Sequence, residues 1–119
     1  MACSAGFIQT GFSTPSINLC TTVSGSNFTV NLEPKGTSSN PFAGYVKLII
    51  EKESPTTEGW VAVSSPKIGY WANSNQTKSS PFTNGANVGK TMRVQAEFYR
   101  YSDYTGKLTA SASHIFYQG

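Results

Sequence analysis

The chain has 119 residues, which suits one domain and is too short for two domains of ordinary size. Only 13% of the residues are charged, the net charge is +3, and no Lys/Arg run of the kind that follows nucleic-acid phosphates occurs, so we expect no nucleic-acid partner. Abundant aromatic and β-branched residues exclude a disordered chain, and the high Ser and Thr content is typical of extracellular β proteins.

The two cysteines, Cys3 and Cys20, predict a disulfide bond that pins the N-terminus. Residues 5–12 would fold back through a Pro-containing turn beside a second strand at residues 17–22, which brings the two sulfur atoms together. Two alternatives are a lipid-anchored Cys3 behind a longer apolar segment, and two reduced buried thiols. The first twenty residues lack a basic region followed by an apolar run, so we expect the mature form of the protein.

The next two strands are predicted from their alternation and length. In residues 27–33, Phe28, Val30 and Leu32 alternate with polar residues, which indicates a strand with one buried face. Residues 45–53 have an apolar centre, and their length and β-branching favour a strand over a helix.

Residues 54–59 then form a hairpin loop, and residues 60–64 return antiparallel. A further strand at residues 67–73 carries two adjacent aromatic residues. Residues 74–90 are predicted to be a long polar loop, a feature that is often functional or mobile.

Residues 91–117 predict a long antiparallel hairpin. Its first arm alternates Met92, Val94, Ala96 and Phe98 with polar residues, and its second arm continues through Leu108, Ala110 and Ala112. Ser102, Asp103 and Gly106 mark the turn. His114 falls on the same face as Leu108, unless a bulge near Ser113 reverses the strand.

The spacing of these strands predicts an all-β chain. The fold class is a single antiparallel β-sandwich of immunoglobulin-like type, with about seven or eight strands over residues 1–119, and a small β-barrel is the alternative. The strongest apolar run, residues 46–50, is too short for a transmembrane segment.

A WVAV strand, a GKTMRV strand and a closing tyrosine-rich hairpin follow one another in the second half of the chain. This order resembles small secreted immunoglobulin-like modules of Gram-positive bacteria. The resemblance covers roughly the last eighty residues and carries no functional residue over.

Catalytic chemistry has little support in the sequence. His114 is the single histidine, and the cysteines and acids lack metal-ligand spacing, so we expect no catalytic residue, no metal and no cofactor. An enzyme would require two of the acids to lie within about 10 Å in a cleft. The acids considered are Glu51, Glu53, Glu97 and Asp103.

Exposed aromatic residues give the leading functional hypothesis. Flat rings beside amide and hydroxyl groups hold sugar rings and peptides, because the ring buries C–H faces while its neighbours bind the polar groups. The alternative for each ring, Trp71 included, is a place in the core. The predicted binding residues are Tyr70, Trp71, Tyr99, Tyr101 and Tyr104.

The sequence therefore predicts a secreted, non-enzymatic module that binds a glycan, a cell-wall component or a protein. A secreted toxin or antimicrobial protein is the alternative, in which residues 111–113 and the 74–90 loop supply a membrane-active strand pair. An exposed edge strand that pairs with a second copy is a further expectation.

Overall fold

The computed structural model describes residues 2–10, 14–83, 88–110 and 112–118. These residues form strands and connecting loops without a helix, which confirms the all-β prediction. The described part contains ten strands where seven or eight were expected. They are Ala2–Gln9 (β1), Ser16–Ser24 (β2), Asn27–Pro34 (β3), Gly44–Glu53 (β4), Trp60–Ser64 (β5), Lys67–Trp71 (β6), Lys78–Thr83 (β7), Lys90–Tyr99 (β8), Lys107–Ala110 (β9) and Ser113–Gln118 (β10).

The strands form two antiparallel sheets that pack face to face. Sheet one has the order β1-β2-β3-β7. Sheet two is built on β4 and β8, with β5 and β6 along successive parts of β4, and β9 and β10 along successive parts of β8. The sheets are linked where β1 pairs with β9. The strand path ends at β5 and β7 without closing, so the structure is a sandwich and the barrel alternative is wrong.

The core follows from the alternation of each strand. One face of every central strand is apolar and points into the space between the sheets, where side chains of both sheets interdigitate. The other face points outward and carries the polar residues. The largest side chains that are fully buried include Ile17, Leu19, Leu32, Leu48, Ile50, Met92, Val94 and Phe98.

The closing hairpin is divided, which the sequence did not indicate. Its second arm forms β9 and β10, and the step from Leu108, opposite Phe98, to Ser113, opposite Gln95, uses two residues more than the first arm. Because the insertion is even, the inward face is preserved and His114 remains buried. The extra length lets β9 reach β1 and join the two sheets.

The prediction of a continuous loop over residues 74–90 is wrong in part. Lys78–Thr83 forms β7, which pairs with β3 at the edge of sheet one. Pro81 is accommodated there because an edge strand leaves one row of its backbone groups without ladder bonds. Residues 84–87 lie outside the described residues.

The disulfide between Cys3 and Cys20 is present, and the prediction is confirmed. The two residues lie directly opposite each other in the β1–β2 ladder, with their Cα atoms 4.0 Å apart. Both cysteines of the chain are used, which excludes the reduced-thiol alternative for this structure.

His114 is buried where β10 faces the first sheet. Its Nδ1 lies 2.7 Å from the Ser4 hydroxyl, whereas its Nε2 is buried without a hydrogen-bond partner among the described atoms. The ring stacks on Phe116 with the centroids 6.4 Å apart. Burial lowers the pKa of His114, because a charged imidazolium would lose its hydration there.

We expect the stability of the protein to fall as the pH is lowered from about 6.5 towards 5. Above about pH 6.5 the imidazole is neutral in both the folded and the unfolded state. Below it the unfolded state binds a proton that the folded state resists, so the free energy of unfolding decreases by up to about 1.4 kcal/mol per pH unit.

Urea unfolding at a series of pH values measures this slope. His114→Leu should abolish it, because the chain has no other histidine. Glu51 and Glu97, whose pKa values are lowered, lose their stabilising effect only at more acidic pH. A slope between pH 6.5 and 5 that persists in His114→Leu would refute the assignment.

Candidate functional site

Four tyrosine rings meet on the outer face of sheet two, at the end next to the β8–β9 turn. We call Tyr45, Tyr70, Tyr99 and Tyr104 the tyrosine cluster. Tyr45 lies at the start of β4 and is paired with Tyr70 of β6 on one side and Tyr99 of β8 on the other. Directly opposed residues share a face in an antiparallel sheet, so the register itself assembles these three rings.

The rings are in contact across three elements. The centroid of Tyr45 lies 5.2 Å from that of Tyr70 and 5.8 Å from that of Tyr104. Tyr104 and Tyr99 are 5.5 Å apart in an edge-to-face arrangement. Such distances are those of stabilising aromatic pairs, so the cluster is a packed unit.

Tyr104 is held in place from several sides. It is the only non-glycine residue of the described chain with a positive φ, 59°, and this αL conformation turns its side chain over the sheet. Its hydroxyl oxygen accepts a 3.1 Å hydrogen bond from the backbone N–H of Gly69. The Lys67 ammonium lies 4.8 Å from the Tyr104 ring centroid, a cation–π contact.

Tyr99 and Glu97 support the cluster from below. The Tyr99 hydroxyl donates a 2.8 Å hydrogen bond to Glu97, and burial together with this nearby carboxylate raises the pKa of Tyr99 to about 12. Glu97 also contacts Lys107 at 2.7 Å and Lys47 at 3.8 Å. Burial alone would raise the pKa of Glu97, but the hydrogen bonds and the two ammonium charges outweigh it and hold this pKa below its ordinary value.

The exposure of the rings is graded. Tyr70 is 54% exposed, Tyr45 and Tyr104 are half-buried, and Tyr99 is only 8% exposed. The cluster therefore presents one open ring, flanked by two others and supported by a fixed base. The surface is already assembled without a ligand.

The structure separates the predicted binding residues into three groups. It brings Tyr70, Tyr99 and Tyr104 together. Tyr101 is 59% exposed in the neighbouring turn, but none of the described ring contacts joins it to the cluster. Trp71 belongs to the core, since neighbouring residues on a strand point to opposite faces; it packs on Phe42 and donates its Nε1–H to the Gln76 carbonyl at 2.9 Å.

Two members of the site were missed in the sequence. Tyr45 stands at the start of a predicted strand, and its partners become visible only from the register of β4 with β6 and β8. Lys67 reaches the cluster because the β4–β6 ladder shifts register between Val46 and Lys47. The alternation of residues 45–53 does place Tyr45 on the outer face, but nothing local indicates its neighbours.

A second polar network lies further along the outer face of sheet two. The Glu51 carboxylate accepts hydrogen bonds from Arg93 at 2.9 and 3.2 Å and from Gln95 at 2.7 Å, and the Arg93 guanidinium lies over Trp60. Burial would raise the pKa of Glu51, but these hydrogen bonds and the Arg93 charge lower it. Glu51 is thus a structural ion-pair residue in its described contacts.

The described geometry does not favour a catalytic carboxylate pair. Glu51 pairs with the β8 position four residues before Glu97, which places the two acids roughly 14 Å apart at about 3.4 Å per residue. Both are ion-paired with lowered pKa values, whereas a general acid needs a raised one. Among the described residues no three potential metal ligands are grouped together.

The free edge of β5 is a second exposed feature. Within the described chain β5 pairs only with β4, and Val61 and Val63 are 43% and 36% exposed. The strand carries no charge that would discourage pairing with another strand. Self-association through this edge stays a prediction.

Comparison with known proteins found no matching family model, no similar curated protein and no similar solved structure. Within the described residues there is no helix of sufficient length and hydrophobicity to cross a membrane. The functional proposal therefore rests on the geometry of the tyrosine cluster.

Proposed function

We propose that the protein is a secreted, non-enzymatic β-sandwich module that binds a glycan at the tyrosine cluster. The observation that carries the proposal is the packed group of four tyrosine rings on the outer face of sheet two, with Tyr70 open to solvent. The disulfide supports an oxidising compartment and is compatible with secretion.

The chemistry of the cluster suits a sugar better than an apolar ligand. The C–H face of a sugar ring stacks on an exposed tyrosine, and hydroxyl groups at its edge need polar partners. Lys67, Glu97 and Lys107 supply charged donors and acceptors beside the rings. Because the rings are fixed by strand pairing and by the Tyr104 hydrogen bond, binding orders few additional side chains.

A protein partner remains the alternative occupant of this surface. Protein interfaces favour aromatic residues too, but their central residues fill pockets and leave few charges at the centre. The tyrosine cluster is an open surface with Glu97, Lys47 and Lys107 directly beside it. This arrangement favours a hydroxyl-rich ligand.

We expect Tyr70→Ala to weaken glycan binding at least about tenfold, because it removes the most exposed stacking surface. A glycan array identifies the ligands of the unaltered protein, and isothermal titration calorimetry measures both proteins against the strongest of them. Tyr117→Ala is the matched control: Tyr117 is 63% exposed on the same face, but lies about 27 Å away along β8.

Equal losses in the two tyrosine variants would show that the cluster is not the binding site. An array on which the unaltered protein binds no glycan would refute the proposal itself. Circular dichroism of each variant establishes that the fold is retained.

The membrane-active alternative requires residues 74–90 to supply a strand to the bilayer. Part of this segment is already used in sheet one, because β7 pairs with β3 and Phe82 stacks on Phe28 with the centroids 5.2 Å apart. No described feature favours its release. Dye leakage from anionic liposomes distinguishes this alternative from glycan binding.

A further inference from the structure

The charges of the chain are unevenly distributed around the tyrosine cluster. Five of the nine basic residues lie beside the cluster or in the turn that carries Tyr104, against two of the six acids. The remaining four basic and four acidic residues cancel, so the entire net charge of +3 belongs to this end of the molecule. The five basic residues are Lys47, Lys67, Lys78, Arg100 and Lys107, and the two acids are Glu97 and Asp103.

The local acids do not neutralise these cations. Glu97 is shared between Lys47 and Lys107, so one carboxylate faces two ammonium groups. Asp103 accepts a hydrogen bond from the Thr105 hydroxyl and forms no ion pair in the described structure. The surplus is therefore not internally compensated.

Two of the lysines are placed directly at the exposed rings. The Lys67 ammonium lies over Tyr104 and has no carboxylate partner among the described residues. Lys78 donates a 3.2 Å hydrogen bond to the backbone carbonyl of Tyr70. Each ammonium retains donors for a ligand, since it has three N–H groups and uses few of them here.

We infer that the glycan bound at the tyrosine cluster is acidic, with anionic groups on its sugar rings; this rests on the proposed function. The rings provide the stacking surface and the uncompensated ammonium groups provide the charge complement. A nucleic acid is also a stacked polyanion, but its affinity comes from a cationic track along many phosphates, and the positive charge here is confined to one end of the sheet.

The test compares acidic glycans with their own neutral forms. Polygalacturonate, alginate and hyaluronan are each titrated beside the fully methyl-esterified preparation of the same polymer, at low and at physiological salt, and dextran sulfate is compared with dextran. We expect the acidic form to bind at least about tenfold more tightly at low salt and the difference to shrink as salt is added. The carboxylated and sulfated pairs show which anionic group is preferred.

Lys67→Gln should weaken binding of the acidic form roughly threefold to tenfold and leave binding of the ester unchanged. Lys67→Arg should retain binding, because it keeps the cation over Tyr104. Lys90→Gln is the matched control, since Lys90 is exposed at the opposite end of β8 and its replacement removes the same charge.

Equal binding of acid and ester would overturn this inference and leave the proposed function standing, whereas binding of none of these polymers together with a blank glycan array would refute both. An equal loss in Lys67→Gln and Lys90→Gln would show non-specific attraction by net charge. Equally tight binding of an oligothymidylate would overturn the glycan assignment in favour of a single-stranded nucleic acid.

Discussion

Replacing Phe98 with alanine is expected to lower the free energy of unfolding by about 3–5 kcal/mol. Phe98 is completely buried at the end of β8, where it contacts the rings of Phe42 and Trp71 at centroid distances of 5.4 and 6.3 Å. It also lies opposite Leu108 at the start of β9, the strand that joins the two sheets. A cavity here removes aromatic contacts from three elements at once.

Urea unfolding monitored by circular dichroism measures this loss. Phe7→Ala is the control, because Phe7 is 37% exposed and its removal should cost no more than about 1 kcal/mol. Equal losses in the two variants, or a loss below about 1.5 kcal/mol for Phe98→Ala, would contradict the central position of Phe98 in the core.

Cys3→Ala is expected to lower the free energy of unfolding by about 3 kcal/mol. The disulfide closes a loop with a sequence separation of 17, and the chain-entropy model gives a value of this size for a loop of about 15 residues. Cys3 is exposed whereas Cys20 is fully buried, so replacing Cys3 removes the bond and leaves the core sulfur in place.

The unaltered protein unfolded in a reducing buffer should match the Cys3→Ala variant in an oxidising one. Amide resonances of β4 and β8 should be unchanged in the variant, because the disulfide lies in sheet one. Loss of less than about 1 kcal/mol would show that the β1–β2 pairing is held without the bond.

Strands with strict alternation could be predicted from the sequence. In β3 and β8 every second residue is apolar, and the structure buries those residues. β7 has the sequence KSSPFT, whose single large apolar residue and internal proline resemble a loop; its pairing with β3 is a long-range event that no local pattern encodes. The break between β9 and β10 was equally hidden, because an even insertion leaves the alternation unchanged.

The candidate site could be predicted only in part for the same reason. Tyr99 and Tyr104 belong to one hairpin and were found together, whereas Tyr45 joins them through pairing between strands far apart in the chain. Adjacent aromatic residues on a strand must face opposite ways, so one of Tyr70 and Trp71 had to be buried. Which of them faces the core is decided by the register of β6 on β4.

An NMR titration of the ¹⁵N-labelled protein with a galacturonate hexamer tests most directly whether the tyrosine cluster is the glycan-binding surface. We predict amide shift changes confined to Tyr45, to residues 67–70 and to residues 99–107, with the resonances of sheet one unmoved. Shift changes confined to sheet one or to the β5 edge, or no changes at all, would contradict binding at the tyrosine cluster.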